Sequence, residues 1–276
     1  MLEGGVTMLR LEGVSKVYRV GAFGGRKRDA VRDVSFTLGA GEVVSLIGES
    51  GSGKTTIGRM ILRLTPVSAG TITLDGQDVS ALRGSRLKSF YRKVQGVFQD
   101  PFSSYNPVFK ADRVFAMIRS AYFPGVSDSD WRAKVAESLA AVRLRPDAVL
   151  DKYPHQLSGG QLQRLLIARA LLLDIRLLVA DEVISMLDAS TRIDVLNLLG
   201  DLKERGLGIL FITHDLALGN YLSDQTVILR GGEVVEQGPT ADVFGSPQHP
   251  YTRQLLASVP QLHKKWSEVD AELAQR

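Results

Sequence analysis

The sequence predicts an α/β fold with a mainly parallel sheet, and three observations lead to this prediction. The chain has 276 residues, 44% of them hydrophobic, which is enough to fill one large α/β domain or a core with a smaller lobe. Strand-like apolar runs alternate with segments whose apolar residues recur at helical spacing. A glycine-rich segment, GESGSGKTT (48–56), lies between an apolar strand-like run and an amphipathic helix-like segment. A strand, a loop and a helix in this order indicate a parallel α/β unit.

The first strands are predicted to form an antiparallel β subdomain. LRLEGVSKVYRV (9–20) and VRDVSFTLGAG (31–41) read as strands, and the second alternates apolar and polar residues before a glycine turn. EVVSLIG (42–48) is almost continuously apolar, which is typical of a strand buried on both faces. We expect this third strand to belong to the parallel core.

A helix is predicted after Gly53. Its apolar face repeats at the i, i+3, i+4 and i+7 positions, which are occupied by Ile57, Met60, Ile61 and Leu64. Pro66 and Gly70 in TPVSAG are expected to end it. GTITLDGQDVS then predicts a hairpin that turns at Asp75-Gly76, and KVQGVFQ predicts a further strand.

The middle of the chain changes to helical patterning. Residues 112–145 are amphipathic around Trp131, Val135, Leu139 and Val142, which predicts a helical lobe inserted into the core. The second half then returns to alternation. We expect a helix carrying Leu162, Leu165, Leu166 and Leu173, the strand RLLVA, a helix over 190–204, the strands GILFIT and TVILR, and a turn at Gly231-Gly232.

These patterns suggest a division into four parts. Residues 1–100 hold the antiparallel β subdomain and the first part of the core, and residues 101–164 hold the inserted helical subdomain. Residues 165–244 complete the core, and residues 245–276 form a C-terminal helical extension.

Composition excludes several classes of function. The net charge of +4 is small and dispersed, and we interpret the basic clusters 26–28 and 92–93 as solvated surface, so we expect no nucleic-acid partner. Without cysteine there is no disulfide, zinc thiolate or thiol catalysis. The first residues lack a signal-peptide pattern, and charges interrupt the most apolar region, 165–180. Any link to a membrane must therefore run through a partner.

The glycine-rich segment fits the pattern of a phosphate-binding loop, G-x4-G-K-[ST], in its usual strand-loop-helix context. Glycines allow backbone N–H groups to surround an anion, and the following helix adds a partial positive charge. Lys54 is expected to reach the β- and γ-phosphates, and the Thr55 hydroxyl to bind Mg²⁺. The residues predicted to bind nucleotide here are Gly48, Ser50, Gly51, Ser52, Gly53, Lys54, Thr55 and Thr56. Kinases, GTPases, helicases and transport ATPases all share this pattern.

Two acids follow the apolar strand LLVADE (177–182). Asp181 at the strand tip is suited to position Mg²⁺, and Glu182 to orient or deprotonate an attacking water. A solvated acidic pair after a strand is also common, and the phosphate loop earlier in the chain favours the functional interpretation.

LSGGQLQR (157–164) narrows the class of protein further. Ser158 is suited to cap a helix, and Gly159 and Gly160 would expose backbone amides at its N-terminus, which gives a second anion site without a lysine. A plain helix cap would not need two glycines followed by Gln161. With this segment the sequence resembles the ATP-binding-cassette (ABC) ATPases, whose signature is LSGGQ, and the resemblance covers nearly the whole chain.

The resemblance implies roles for four more residues. Gln99 resembles the glutamine that senses Mg²⁺ and the γ-phosphate, and His214 resembles the histidine that contacts the γ-phosphate. Tyr18 resembles the aromatic residue that stacks on adenine, with an ordinary strand tyrosine as the alternative. Asp188 resembles an aspartate near the dimer seam. The implied fold is an ABC nucleotide-binding domain, and the implied ligands are ATP and Mg²⁺.

One departure from the family follows the catalytic acids. The family usually has proline after the glutamate, as in DEPTSALD, whereas this chain reads DEVISMLD with Val183 and Ile184 at the next two positions. Proline would stiffen that turn. No reacting group is missing, so hydrolysis is still expected, and the geometry of the turn is left open.

The resemblance also implies partners. Members work as head-to-tail dimers in which the signature helix of one subunit covers the ATP of the other, so Ser158 and Gly160 would serve the partner's nucleotide. HPYT (249–252) and its surroundings resemble the ATPases of oligopeptide and dipeptide importers, with a surface turn and helix start as the alternative. Such ATPases pair with a related second ATPase beneath two membrane permeases, at the cytoplasmic face, and an extracytoplasmic binding protein delivers the cargo.

Other functions stay open at this stage. The same subfamily includes importers of nickel and oligosaccharides. A non-transport ABC protein acting on DNA or ribosomes is a second hypothesis, although the chain shows neither tandem cassettes nor a long coiled coil. A small-molecule kinase is a third, and it would not need LSGGQ.

Overall fold

The structure is a computed structural model that describes residues 7–20 and 25–258. Its strands are β1 (Thr7–Val20), β2 (Arg26–Gly39), β3 (Val43–Ile47), β4 (Ala69–Leu74), β5 (Gln77–Asp78), β6 (Val94–Val97), β7 (Leu177–Asp181), β8 (Gly208–Thr213), β9 (Gln225–Arg230) and β10 (Glu233–Pro239). Its helices are α1 (Lys54–Ile61), α2 (Gly84–Lys93), α3 (Arg113–Tyr122), α4 (Asp128–Ala141), α5 (Pro146–Val149), α6 (Gly159–Leu171), α7 (Ala189–Glu204), α8 (Leu216–Leu222), α9 (Thr240–Gly245) and α10 (Pro250–Ala257).

The core is a six-stranded sheet in the order β10-β9-β3-β8-β7-β6. Its strands pair in parallel except β10, which is antiparallel to β9 at one edge. The predicted α/β fold with a mainly parallel sheet is confirmed. Because β3 lies between β9 and β8, the loop that leaves its carboxyl end emerges near the middle of the sheet, where ligands of such folds bind.

Both faces of this sheet are covered, which explains the apolar runs in the sequence. In β8, Ile209 and Phe211 pack into a core shared with the helices, whereas Leu210 and Ile212 pack against the other sheet and α1. Alternate residues of a strand point to opposite faces, so a strand that is buried on both faces is apolar along nearly its whole length.

The second sheet has four strands in the order β2-β1-β4-β5, all antiparallel. This is the predicted N-terminal antiparallel subdomain. The hairpin between β4 and β5 turns at Asp75 and Gly76, which both have positive φ, 50° and 76°, as a two-residue hairpin turn requires. In β1, Tyr18 lies opposite Arg28 of β2.

The helical segment between β6 and α6 contains α3, α4 and α5. The predicted apolar face of α4 is buried: Trp131, Val135 and Leu139 join the core cluster on the helical side of the sheet. Trp131 also contacts the ring of Phe123 at 5.6 Å between centroids. The four-part division of the chain at 100, 164 and 244 stays a prediction.

The end of α1 differs from the prediction. The helix stops at Ile61, and Leu64 is 56% exposed instead of lying on the buried face. The chain turns away because Arg63 adopts a left-handed conformation (φ 58°) while the Leu64 N–H donates to the Arg59 carbonyl. This is a Schellman ending formed without the usual glycine.

Other elements were not predicted individually. Helix α2 buries Phe90 and packs Leu87 and Tyr91, at helical spacing, against the same core. Helix α10 begins at Pro250 inside the predicted C-terminal extension, of which 259–276 lies outside the described residues. Among residues 7–20 and 25–258, no helix has the length and apolarity that crossing a membrane requires.

Candidate nucleotide site

The glycine-rich loop joins β3 to α1, as predicted. Gly53 has φ 105°, and a Cβ at this position would lie 2.5 Å from the carbonyl oxygen of Ala30. Both the conformation and the close approach exclude a larger residue. Glycine is therefore required at position 53, because the neighbouring strand β2 leaves no room for a side chain.

Lys54 is the first residue of α1, and its side chain folds back over the loop. It is only 5% exposed, and its Nζ donates to the carbonyls of Gly48 at 2.6 Å and Glu49 at 2.9 Å. Burial lowers the pKa of Lys54, and the nearby carboxylates counteract part of this effect. The positive charge of Lys54 is therefore held at the loop that is predicted to bind phosphate.

Asp181 ends β7 beside the start of α1. The Thr55 hydroxyl donates to its Oδ1 at 3.3 Å. Burial raises the pKa of Asp181, and the bond from Thr55 lowers it in part. Two hard oxygen donors therefore lie side by side, which fits Mg²⁺, an ion that takes one or two protein ligands plus phosphate and water. Within the described ranges no group of three or more His, Cys, Asp or Glu forms an all-protein metal site.

Glu182 adopts a left-handed conformation, with φ 50°. Such a conformation costs an acidic residue roughly 1–3 kcal/mol and persists only where surrounding contacts enforce it. Here the Glu182 N–H donates to the Ile212 carbonyl at 2.9 Å, and its carbonyl accepts from the N–H and hydroxyl of Ser185 at 3.1 and 2.9 Å. The side chain consequently turns into the cavity, where Oε1 lies 3.2 Å from Nδ1 of His214.

Lys54, Thr55, Glu182 and His214 line one cavity of about 1320 Å³. The residues predicted to act on nucleotide that line it are Tyr18, Gly48, Ser50, Gly51, Gly53, Lys54, Thr55, Thr56, Gln99, Glu182 and His214. They come from both sheets, the loop and the segment after β6. The cavity thus combines an aromatic side chain, a lysine and an acid.

Two predicted residues of this region do not line the cavity. Asp181 lies behind Thr55, and Ser52 is buried with its hydroxyl unbonded. The predicted roles of both stay predictions.

The signature segment does not reach this cavity. Ser158, Gly159, Gly160 and Gln161 form the start of α6 elsewhere on the chain. The Ser158 hydroxyl accepts from the Gln161 N–H at 3.2 Å, and Gln161 Oε1 accepts from the Ser158 N–H at 2.9 Å, which forms a capping box.

The two glycines of this segment differ in their surroundings. A Cβ on Gly160 would lie 2.4 Å from Cγ2 of Thr191 in α7, whereas one on Gly159 would meet no atom closer than 3.7 Å. Close packing of α6 against α7 therefore requires glycine at 160 only. Packing does not explain the glycine at position 159.

Asp188 lies at the start of α7 and also does not line the cavity. Its carboxylate accepts from the Ser190 hydroxyl, the Thr191 N–H and the Thr191 hydroxyl, at 2.6, 3.0 and 2.8 Å. These bonds stabilise the charged form and lower the pKa of Asp188. The residue is a helix cap in this chain, and its place near a dimer seam stays a prediction.

The unusual turn after Glu182 is stabilised by burial instead of proline. Val183 and Ile184 are each 2% exposed and join the core cluster on the helical side of the sheet. Arg192 of α7 donates to the carbonyls of Ser185 and Leu187 at 3.2 and 2.7 Å. Apolar contacts and the guanidinium thus fix the turn that proline would stiffen.

Sequence reasoning missed some residues of the cavity. Arg28 was interpreted as plain solvated surface; it is exposed, yet it lines the cavity because it lies opposite Tyr18. Leu255 of α10 also lines it. The strand register would have found Arg28, whereas no local pattern places Leu255 there.

Comparison with known proteins identifies two families that match parts of the chain. The family described as ABC transporter matches residues 31–185, and the family described as oligopeptide/dipeptide transporter, C-terminal region, matches residues 235–275. The chain is 44% identical over 237 residues to a glutathione import ATP-binding protein of Salmonella paratyphi A, covering 85% of this chain and 38% of that protein. It thus spans under two fifths of the length of that relative.

Two further proteins extend the comparison. A putative peptide import ATP-binding protein of Brucella ovis is 44% identical over 230 residues, covering 83% of this chain and 72% of that protein. Among solved structures, the ATP-binding cassette MJ0796, in a dimeric post-hydrolysis state bound to ADP and Pi, superposes with a TM-score of 0.75 at 30% identity. The superposition covers 84% of this chain and 99% of the other.

Proposed function

Because this chain belongs to the ABC transporter family, we propose that it is an ATP-hydrolysing motor subunit of an importer for small peptides. The observation that carries the proposal is the cavity in which Lys54, Glu182 and His214 converge, in a chain whose C-terminal region matches the oligopeptide/dipeptide transporter family.

The loop binds the triphosphate in this proposal. Its N–H groups and the start of α1 surround the phosphates, Lys54 moves from the loop carbonyls to them, and Tyr18 stacks on the base. Thr55 and Asp181 supply protein oxygens for Mg²⁺, and Gln99 is a third candidate ligand. When bound, the ion neutralises charge on the phosphates.

Glu182 acts as the base. Its carboxylate accepts the proton of a water whose oxygen attacks the γ-phosphorus, the bond from that phosphorus to the bridging oxygen breaks, and ADP and phosphate result. His214 orients Glu182 through the 3.2 Å contact and donates to the γ-phosphate. Most of the rate enhancement comes from positioning and charge, which suits a site made of glycines, one lysine and acids.

The second anion site serves a partner. The residues Ser158, Gly159, Gly160 and Gln161 lie outside the cavity of their own chain, which supports a role toward a nucleotide held by another subunit. We propose a head-to-tail pair with a related ATPase in which Asp188 lies near the seam. Closing around ATP and reopening after hydrolysis then drives two membrane permeases, at the cytoplasmic face of the membrane.

The cargo follows from the relatives. One is named for glutathione import, and another for putative peptide import. Glutathione is itself a tripeptide, so the two names describe one chemical class. We propose di- and oligopeptides, delivered by an extracytoplasmic binding protein, as the cargo.

The proposal is tested by reconstituting the chain with its partner ATPase and permeases in liposomes. Binding protein loaded with peptides or glutathione should stimulate ATP hydrolysis, and a complex carrying Glu182→Gln should show no such stimulation. Stimulation by nickel or an oligosaccharide instead would contradict the peptide cargo.

The class of protein is tested separately. We expect the chain to copurify with integral membrane proteins. Copurification with ribosomes or DNA would point to a non-transport ABC protein, and transfer of phosphate to an added small acceptor would point to a kinase.

A further inference from the structure

The C-terminal helix α10 contacts the phosphate loop directly. The hydroxyl of Tyr251, in the first turn of α10, accepts a hydrogen bond from the Glu49 N–H at 3.4 Å. Leu255, one turn further along α10, lines the nucleotide cavity, as Glu49 does. The helix therefore forms part of the wall of the site.

Tyr251 is held firmly where it meets the loop. Its side chain is 3% exposed and packs in a cluster with Ile47, the last residue of β3 before the loop. The guanidinium of Arg230 lies 4.8 Å from the centre of its ring, within the range of a cation–π contact. A ring fixed on two sides presents its hydroxyl at a defined point.

The start of α10 is fixed as well. Glu236 of β10 accepts the N–H groups of Gln248 and His249, at 2.6 and 3.0 Å. The Nδ1 atom of His249 accepts the Tyr251 N–H at 3.1 Å and caps the helix. The position of the Tyr251 hydroxyl is thus set by the sheet and not by the loop that it contacts.

Lys54 contacts the same peptide group from the other side. The Gly48 carbonyl accepts from Lys54 Nζ at 2.6 Å, and the N–H of that peptide group is the Glu49 N–H that donates to Tyr251. A trans peptide is rigid, with its C=O and N–H pointing in opposite directions. Tyr251 and Lys54 therefore share one rigid group, and when Lys54 turns to a phosphate, Tyr251 is the contact that still orients it.

We propose that Tyr251 is a positioning residue of the nucleotide site, which fixes the Gly48–Glu49 peptide and so links the C-terminal region to ATP affinity. This inference rests on the proposed function, because it assumes that the loop binds nucleotide. In this proposal the HPYT segment acts on the nucleotide site of its own chain, through Tyr251.

The test compares Tyr251→Phe with Tyr221→Phe in the full chain. Tyr221 is a matched control, because its hydroxyl also makes one hydrogen bond, to Asn197 Oδ1 at 3.0 Å, on the exposed surface of α8. A fluorescent ATP analogue reports the dissociation constant, thermal unfolding reports stability, and the amide resonance of Glu49 in ¹⁵N-labelled protein reports the hydrogen bond.

We expect Tyr251→Phe to weaken binding of the analogue about two- to fivefold, as loss of one long neutral hydrogen bond predicts, and to shift the Glu49 amide resonance. Tyr221→Phe should do neither. Unchanged affinity, or an unmoved Glu49 resonance together with a lower unfolding temperature, would overturn the positioning role. Failure of the unaltered chain to bind the analogue would instead contradict the proposed function.

Discussion

Two helices of this molecule begin with glycine-rich segments, α1 and α6, and their surroundings are opposite. The start of α1 faces a cavity lined by the buried Lys54 and by Glu182, whereas the N–H groups at the start of α6 are bonded within its own capping box. A helix N-terminus alone stabilises an anion by only about 0.3–1 kcal/mol at an exposed position. The α6 end is therefore suited to a phosphate that other charges already hold, which is consistent with the proposed pairing with a second subunit.

The largest expected effect is on the rate of ATP hydrolysis, and it comes from removing the acid Glu182, which has no counterpart at the start of α6. Glu182→Gln keeps the size of the side chain but removes the base, so the rate of hydrolysis should fall roughly 10²–10⁴-fold while ATP still binds. Steady-state ATPase assays of the assembled complex and equilibrium binding measure the two quantities.

Glu233→Gln is the control for this change, because Glu233 is an exposed acid paired with Arg32 at 3.1 Å outside the cavity. It should hydrolyse ATP normally. Near-normal turnover by Glu182→Gln would remove Glu182 from the role of base.

The next effect tests the lysine that distinguishes α1 from α6. Lys54→Ala removes the buried charge, so ATP affinity should fall roughly 10- to 100-fold, as loss of hydrogen bonds to a charged group predicts. Isothermal titration with ATP measures it. Lys93→Ala, at a half-exposed lysine paired with Asp75, should bind like the unaltered chain, and an unchanged affinity in Lys54→Ala would contradict the assignment of the loop.

The smallest effect separates packing from function within the α6 segment. Gly160→Ala should destabilise the fold by about 1–3 kcal/mol, because its Cβ would overlap Thr191, whereas Gly159→Ala should not. Chemical denaturation of the full chain measures the free energy of unfolding.

A second substitution sharpens this test. Thr191→Ser removes Cγ2 but keeps the hydroxyl that bonds Asp188, so it should restore stability to Gly160→Ala. If Gly160→Ala unfolds no more easily than Gly159→Ala, close packing does not explain the glycine at 160.

Local patterns predicted most of the fold and the loop. The apolar–polar alternation in β2 and the Asp75-Gly76 turn are local features, and they are confirmed. The end of α1 was predicted wrongly because Arg63 adopts a conformation that usually indicates glycine. Helix α2 was not predicted, although Leu87, Phe90 and Tyr91 recur at helical spacing.

Prediction of the site has the same limit, because local sequence patterns do not reveal contacts between distant segments. A recognisable loop and acids follow their strands in sequence, so their convergence could be expected. Tyr251 and Leu255 reach the loop only through packing of α10 against β9, β10 and the end of β3. Nothing near them in sequence indicates that contact, since it depends on the relative placement of segments 200 residues apart.

The central place of β3 also has a consequence during synthesis of the protein. Val43 pairs with Ile209, and Val44 pairs with Gln225, so the strand that carries the loop has no paired strand in its sheet until residues 208–230 have been synthesised. At roughly 5–20 residues per second this delay is about ten to thirty seconds. Newly synthesised chains therefore lack both strands that flank β3 until residue 230 has been made, and the apolar VVSLI segment is unpaired in that interval.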